Sequence, residues 1–419
     1  MTMADLAAWG ICGLATAGVT LRLLRVPQWA WALGGALILV LCGLLPMGAA
    51  LAGVAKGGDV YLFLAGMMLL AELARQEGLF DWLAAQAANR ARGSPQRLFG
   101  LVYLVGILVT VFLSNDATAV VLTPAVAAVA RAAKVARPLP YLLVCAFIAN
   151  AASFVLPISN PANLVIYAER MPRLLEWLPR FALPSVLAIG LTFVLLRHTQ
   201  REALRGPVAS HVPVPDLPPA GVLTAWGIGA TAVVLMAASA LGLRLGAPTC
   251  AAGVLALFVV SWRAGSSPWR FCREVDWGVL PLVAGLFVLV EALERSGVVR
   301  LLAGWLQTGV HRSAPLAAAG AGLAVGFGAN LINNLPAGLI AGSAVHGTVM
   351  PTRVTSALLV GVDLGPNLSV TGSLATILWL GALRREGLDV GPGDFLRLGL
   401  RIMPLTLVAA LAAVVAFAG

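Results

Sequence analysis

The chain is poor in charge. Charged residues make up only 11% of its 419 positions, whereas a soluble globular domain carries about 25%. Hydrophobic residues reach 60% and the mean hydropathy is +0.92. Apolar runs of the length that crosses a bilayer, roughly 20 residues, recur from end to end. The composition excludes an ordinary soluble protein and predicts an integral membrane protein embedded in a lipid bilayer by many spans.

The motifs of soluble enzymes are also missing. The sequence has no glycine-rich phosphate loop, no zinc-binding helix motif and no plausible serine–histidine arrangement. We therefore predict that the protein is not an enzyme and uses no cofactor. Nothing in the chain can hydrolyse ATP, so active transport would need an ion gradient or a separate subunit. The net charge of +10 does not indicate a nucleic-acid partner, because the basic residues lie in short loops between apolar runs.

Cysteine is scarce and scattered. The five cysteines form no CxxC pair and no cluster, which is typical of small apolar packing residues in membrane helices. We predict neither a disulfide framework nor a metal site. The cysteines are Cys12, Cys42, Cys145, Cys250 and Cys272.

Two apolar stretches are interrupted by polar residues in matching ways. Residues 113–118 read Leu-Ser-Asn-Asp-Ala-Thr, and residues 331–336 read Leu-Ile-Asn-Asn-Leu-Pro. Asn115 and Asn334 lie 219 positions apart. Polar breaks at equivalent places in two hydrophobic halves are typical of a secondary transporter whose site lies at mid-membrane. The same offset pairs Gly66 with Gly285, Glu72 with Glu291, and Gly78 with Gly297.

The repeat predicts the domain organisation. We expect an N-terminal membrane repeat at 1–197 with a re-entrant hairpin at 98–133, and a cytoplasmic linker at 198–220. A C-terminal repeat at 221–419 would carry its own hairpin at 314–346. Each repeat holds about five transmembrane helices, and because five is odd the second repeat is inverted. The predicted fold is an all-α polytopic membrane protein with two inverted-topology repeats. Each hairpin is preceded by an amphipathic stretch.

Basic residues set the predicted orientation. With the N-terminus outside, 19 of the 28 Lys and Arg residues fall in cytoplasmic segments, as the positive-inside rule requires. Both termini would then face outward, in a cytoplasmic (inner) membrane. Arg22 and Arg25 follow the first apolar run instead of preceding it, which predicts a retained helix and not a cleaved signal peptide.

Polar residues also interrupt two other apolar spans, at 159–163 and at 363–373, and these four breaks together form the candidate site. Their amides and hydroxyls supply donors and acceptors without net charge, and opened helix ends add dipoles. Such a set suits a small oxygen-rich solute. The alternative is that these groups only bond helix to helix, and for a single Ser or Thr that is the simpler reading. The substrate-binding candidates are Ser114, Asn115, Thr118, Ser159, Asn160, Asn163, Asn333, Asn334, Asn367, Thr371 and Ser373.

Two carboxylates lie among these breaks. A charged side chain at the bilayer centre costs about 2.5–3.5 kcal/mol on insertion scales and is usually kept for a task. We predict proton coupling through Asp116, with Asp363 as the second candidate; the alternative is that each caps a helix end. Glu72 and Glu291 lie at span ends, where a structural role is expected.

The break sequences resemble one family. Residues 361–367 (GVDLGPN) with 371–380 (TGSLATILWL), residues 114–124 (SNDATAVVLTP), and residues 150–163 around PISNPAN are similar to those of the arsenical pump membrane proteins, the ArsB arsenite permeases. The resemblance covers essentially the whole chain. The asparagine-tipped hairpins are shared across the wider ion transporter superfamily, which includes sodium–carboxylate carriers and sodium–proton antiporters.

The resemblance implies extrusion of arsenite and antimonite in exchange for protons, and hence arsenic resistance. In this family a cytoplasmic ATPase subunit is sometimes a partner, and the fold suggests an elevator-like movement of the hairpin-bearing part. Arsenous acid is neutral at pH 7 and presents three hydroxyls, whereas a carboxylate substrate would favour Arg or Lys at the breaks. Two alternatives remain open: a sodium–proton antiporter or sodium-coupled carboxylate carrier, and a passive channel.

Overall fold

The protein is built from helices. The computed structural model describes residues 2–21, 26–346 and 349–417, and within these ranges it contains no β-strand, as predicted. The basic pair Arg22 and Arg25 lies outside the described residues.

The first series of helices ends at the polar linker. A π-helical turn at Thr118–Leu122 separates α7 from α8, and a 3₁₀ turn at Pro157–Ser159 separates α9 from α10. The helices are α1 (Met3–Leu21), α2 (Gln28–Leu41), α3 (Met47–Lys56), α4 (Gly58–Gln76), α5 (Leu79–Ala91), α6 (Pro95–Phe112), α7 (Asn115–Ala117), α8 (Thr123–Ala132), α9 (Leu139–Ala151), α10 (Pro161–Tyr167) and α11 (Leu174–Thr199).

The second series follows the linker. Two 3₁₀ turns, Gly365–Leu368 and Val370–Gly372, separate α18 from α19, and α16 is broken at Ser313, which has non-helical angles (φ −166°, ψ 106°). The helices are α12 (Pro219–Ala240), α13 (Gly246–Ala264), α14 (Pro268–Glu274), α15 (Val279–Arg295), α16 (Val298–Ile332), α17 (Asn334–His346), α18 (Thr352–Leu364), α19 (Leu374–Arg385) and α20 (Pro392–Phe417).

Among the described residues, seven helices are long and apolar enough to cross a membrane, and up to nine if each of two bent pairs counts as one span. The bent pairs are α3–α4, at 47°, and α14–α15, at 50°. The short helices α3 and α14 were not expected. Both begin at a proline-bearing turn, where Pro46 precedes α3 and Pro268 opens α14, and a proline favours the first turn of a helix.

The two series correspond element by element. The helix α4 matches α15, α2 matches α13, and α11 and α20 each contain 26 residues. The paired glycines Gly78 and Gly297 both precede their helices in the left-handed region, at φ 74° and 88°, which glycine adopts without steric cost. The domain boundaries and the inversion of the second series in the membrane stay predictions.

Contacts between the series are reciprocal. At Gly66 of α4, an added Cβ would lie 2.2 Å from the carbonyl oxygen of Thr249 on α13. At the equivalent Gly285 of α15, an added Cβ would lie 2.7 Å from the backbone of Ala32 on α2. Only glycine permits such close helix approach. The helices α1–α4 and α12–α15 therefore pack as one group, which we call the frame. The helices α5–α11 and α16–α20 form the second group, the hairpin body.

Candidate functional site

Each hairpin turns at a polar tip. In the first hairpin, α6 ends at Phe112 and the extended residue Ser114 caps α7, its Oγ accepting a hydrogen bond from the amide of Ala117 at 3.1 Å. In the second, Asn333 adopts φ 73° and its Oδ1 accepts from the amide of Leu335 at 3.4 Å. Both turns place an asparagine, Asn115 or Asn334, at the first position of the returning helix.

Two broken spans face these tips, and each resumes at a capped helix. Asn160 Oδ1 accepts from the amide of Ala162 at 3.0 Å at the start of α10. Ser373 Oγ accepts from the amide of Thr376, also at 3.0 Å, at the start of α19. Proline at the first position of α10 has no amide hydrogen to satisfy and supports this restart.

The broken spans cross and bond to each other. Asn160 Nδ2 donates to Asp363 Oδ1 at 2.8 Å, and Asn150 Nδ2 donates to Asn367 Oδ1 at 3.0 Å. Asn367 Nδ2 in turn donates to the carbonyl of Phe147 at 3.0 Å. These bonds join residues more than 200 positions apart, so the two series share one polar centre.

A small cavity lies at that centre. Its volume is about 30 Å³, room for about two water molecules. Four of the predicted site residues line it: Asn115, Asp116, Asn160 and Asn334. The opposite wall is apolar and comes from the frame, with Leu64 on α4 and both Val279 and Val283 on α15. The central cavity therefore lies where the frame meets the hairpin body.

A wider space continues from the central cavity, and we call it the vestibule. It measures about 160 Å³, shares Asp116 and Val279 with the central cavity, and also includes Ser114. Glu72, Glu274 and Asp276 lie on its other walls. A further cavity of about 480 Å³ shares Asp276 and Val279 with the vestibule. These three adjoining cavities lead from the centre toward Glu274 and Asp276. Both residues lie at the end of a segment that the distribution of basic residues predicts to be cytoplasmic.

The remaining predicted site residues bond within the protein. The hydroxyl of Thr118 lies 2.8 Å from that of Thr110, Ser159 Oγ donates to the carbonyl of Val111 at 3.1 Å, and Asn163 Nδ2 donates to the carbonyl of Ser153 at 3.0 Å. In this structure, these residues and four others form hydrogen bonds within the protein and do not line the central cavity. The set is Thr118, Ser159, Asn163, Asn333, Asn367, Thr371 and Ser373.

The two candidate carboxylates differ in access. Asp116 lines both the central cavity and the vestibule. Asp363 is fully buried behind Asn160, and its Oδ2 has no hydrogen-bond partner among the described residues. Neither forms an ion pair with another described side chain. By contrast, Glu72 pairs with Arg75 at 2.5 Å and Glu291 pairs with Lys56 at 2.6 Å, as expected of structural charges at span ends.

Asn330 is an important residue that the sequence interpretation missed. Its Nδ2 donates to the carbonyls of Gly326 at 2.9 Å and Gly365 at 3.0 Å, while its Oδ1 accepts from Ser369 Oγ at 2.8 Å. It thereby fastens the first arm of the second hairpin to the break after α18. A signal was present, since Asn330 lies one helical turn before Asn334 and follows a Gly-x-x-x-Gly pattern that ends at Gly326.

The family model described as the citrate transporter, CitMHS, matches residues 15–362 of the chain. The arsenical pump membrane protein of Escherichia coli K12 is 27% identical over 351 residues, which span 80% of each chain. That of Yersinia enterocolitica is 25% identical over 347 residues, again 80% of each.

Two solved transporters share the fold. The YdaH transporter of Alcanivorax borkumensis superposes with a TM-score of 0.57 at 16% identity, covering 99% of this chain and 98% of its own. MtrF of Neisseria gonorrhoeae, described as an antimetabolite efflux pump, gives 0.56 at 14% identity over 99% and 95%.

Proposed function

The chain belongs to the CitMHS family of citrate transporters and has arsenical pump membrane proteins among its relatives, and within that family we propose that it extrudes arsenite and antimonite in exchange for protons. That it is a membrane transporter follows from the family and from its apolar spans. The substrate and the coupling ion are the proposal.

The residues that line the central cavity are the observation that supports arsenite and antimonite as substrates. Three amides and one carboxylate line it, and among the described residues no Lys, Arg or His side chain reaches it. The vestibule has the same character, with Glu72, Asp116, Glu274 and Asp276 as its ionisable groups. A trihydroxide without charge can exchange hydrogen bonds with amides and is not repelled by these carboxylates.

A carboxylate carrier is the second candidate, because the family model is that of citrate transporters. A citrate trianion in this cavity would meet Asp116 without a fixed cation, and like charges in a low-dielectric site repel strongly. Binding would then require co-transported cations at the carboxylates. Dependence on sodium or another cation therefore separates the two candidates.

Proton coupling is assigned to Asp116. A carboxylate without a cationic partner in the membrane interior is costly, and uptake of a proton removes that cost. Asp116 lines the central cavity and the vestibule, so the proton would be released toward the cytoplasmic side from the same residue that meets the incoming solute. Asp363 contacts the central cavity only through Asn160, which suits a secondary role.

The movement we propose is elevator-like. A space for about two waters is too small for a trihydroxide, so the walls must separate before binding. One wall belongs to the frame and the other to the hairpin body. Sliding of the hairpin body against the apolar face of α4 and α15 would open the central cavity without breaking the hydrogen bonds that join the broken spans.

The experiment is uptake into everted inner-membrane vesicles that contain the protein. We expect arsenite uptake to be driven by an acidic lumen, without ATP and without sodium, and to be inhibited by antimonite but not by citrate. Sodium-dependent citrate uptake would favour the second candidate. Equilibration of arsenite without accumulation would indicate a channel, and a requirement for added ATPase subunit would show that the proton gradient is not the driving force.

A further inference from the structure

A separate polar cavity lies at the opposite end of α10 from the vestibule, since Pro161 lines the vestibule and Tyr167 lines this cavity. It measures about 360 Å³ and is bounded by the end of α10, the start of α11, the end of α17 and the start of α18. None of the residues that line the central cavity or the vestibule lines it. On the predicted topology it opens to the outer side of the membrane.

Its ionisable side chains are mostly basic. Arg170 and Arg180 both line it, together with His346 and a single described carboxylate, Glu176. Arg180 reaches Glu176 only at 3.3 Å, and the Glu176 side chain is 53% exposed. Arg170 forms no ion pair with another described side chain. The cavity therefore presents more guanidinium donors than its own carboxylate can satisfy.

His346 supplies an unsatisfied polar atom at the same place. Its Nε2 is buried and has no hydrogen-bond partner among the described residues. A buried polar atom normally has a hydrogen-bond partner, and leaving one without a partner is destabilising. His346 ends α17, the returning arm of the second hairpin, so a ligand that meets this nitrogen would also touch the hairpin.

Two helices begin at the cavity. The helix α11 starts at Leu174, and α18 starts at Thr352, with Thr352 and Thr355 on the wall. Neither start has a side-chain cap. The first amides of a helix lack intrahelical partners, and the dipole there favours negative charge.

We propose that this cavity binds an oxyanion of the phosphate type, held by Arg170, Arg180 and His346 and by the amides that open α18. Arginine matches phosphate oxygens in a bidentate manner. The ligand is either free phosphate or the headgroup of an anionic lipid. Bound there, it joins the end of the second hairpin to α10 and α11. This assignment does not depend on the transported substrate.

The test uses the purified full-length protein. Binding of inorganic phosphate is measured by equilibrium dialysis, and bound lipid is measured by native mass spectrometry after reconstitution in phosphatidylglycerol or phosphatidylcholine nanodiscs. The variant is the double change Arg170→Gln with Arg180→Gln. Arg173→Gln is the matched control, because Arg173 is a neighbouring arginine that does not line the cavity. If the double variant does not fold, Arg170→Gln alone replaces it.

We expect the double variant to bind its ligand at least about tenfold more weakly, with Arg173→Gln and the central-cavity variant Asn115→Ala unchanged. Loss of free phosphate identifies the ion as ligand, and loss of retained phosphatidylglycerol identifies the lipid headgroup. The proposal is overturned if wild type retains neither ligand, or if wild type and the double variant retain them equally.

Discussion

At the scale of single residues, asparagines divide into two kinds. The side-chain amides of Asn163 and Asn330 donate hydrogen bonds to backbone carbonyls, so these residues stabilise the fold. Asn334 lines the central cavity, and its side chain forms no hydrogen bond with another described residue. Asn115 lines the same cavity and uses only its Oδ1, which accepts from the amide of Asp116. The second kind has donors free for a solute.

We expect Asn115→Ala and Asn334→Ala each to lower arsenite transport by about tenfold or more, because each removes a hydrogen bond to the solute, while thermal stability in detergent changes little. Asn163→Ala is the contrasting variant. It leaves buried carbonyls unpaired and should cost about 1–3 kcal/mol of stability. Normal transport by either cavity variant would exclude the proposed site.

Cysteine chemistry should not be needed. Cys145 is buried on α9 and, like the other cysteines, lines neither the central cavity nor the vestibule. We expect replacement of all five cysteines by serine to preserve most arsenite transport in everted vesicles. If Cys145→Ser alone abolished transport of a stable protein, thiol coordination of arsenic would be the better mechanism.

At the scale of helices, the second hairpin is seated by glycines on both sides of its contact with α18. Gly322 and Gly326 on α16 face Gly361 and Gly365, and an added Cβ at Gly361 would lie 2.3 Å from the carbonyl oxygen of Gly322. Close backbone approach of this kind is the usual way in which membrane helices gain packing energy.

Gly361→Ala should therefore push the first arm of the second hairpin away from α18. We expect a loss of about 1–3 kcal/mol from overpacking, seen as a lower melting temperature in detergent. The matched control is Gly381→Ala on α19, where an added Cβ meets nothing within 4 Å. A Gly361→Ala protein as stable as Gly381→Ala would show that this packing is not close.

At this scale, the sequence predicts a structural feature only where neighbouring residues in the chain mark it. The interrupted stretches at 113–118 and 331–336 gave the positions of both hairpin tips, because polar residues inside apolar runs stand out in the sequence. The segment 198–220 stays a predicted linker between the two series. It also packs along the hairpin body, where the amide of Val212 donates to Asn89 Oδ1 at 2.7 Å and Asn89 Nδ2 donates to the Val212 carbonyl at 3.0 Å. Backbone partners leave no mark on composition, so this packing could not be predicted.

At the scale of the whole molecule, the repeat offset predicts which residues approach the centre. It does not predict which of them line the central cavity and which bond to other helices. The polar breaks predict Thr118 and Asn367 as site residues for the same reason that they predict Asn115. Their partners, Thr110 and Phe147, come from helices whose relative rotation the sequence does not specify. The offset located the polar centre, whereas three-dimensional packing decided which of its groups face the central cavity.

If Asp116 carries one proton per solute, the membrane potential sets the solute gradient that the exchange can support. Expelling a neutral solute against one proton moves one charge inward, worth about 2.3 kcal/mol per 100 mV. At about 1.4 kcal/mol per tenfold ratio, this supports a solute gradient of roughly fortyfold.

The most direct test is Asp116→Asn in proteoliposomes made with purified protein, free of ATP and sodium. Wild type, with an acidic lumen, should accumulate arsenite above the external concentration. Asp116→Asn should lose that accumulation but retain downhill arsenite exchange, because the amide preserves shape and hydrogen bonding; Asp363→Asn, tested in parallel, should keep part of the accumulation. Uphill accumulation by Asp116→Asn with an unchanged pH profile would show that Asp116 is not the proton carrier.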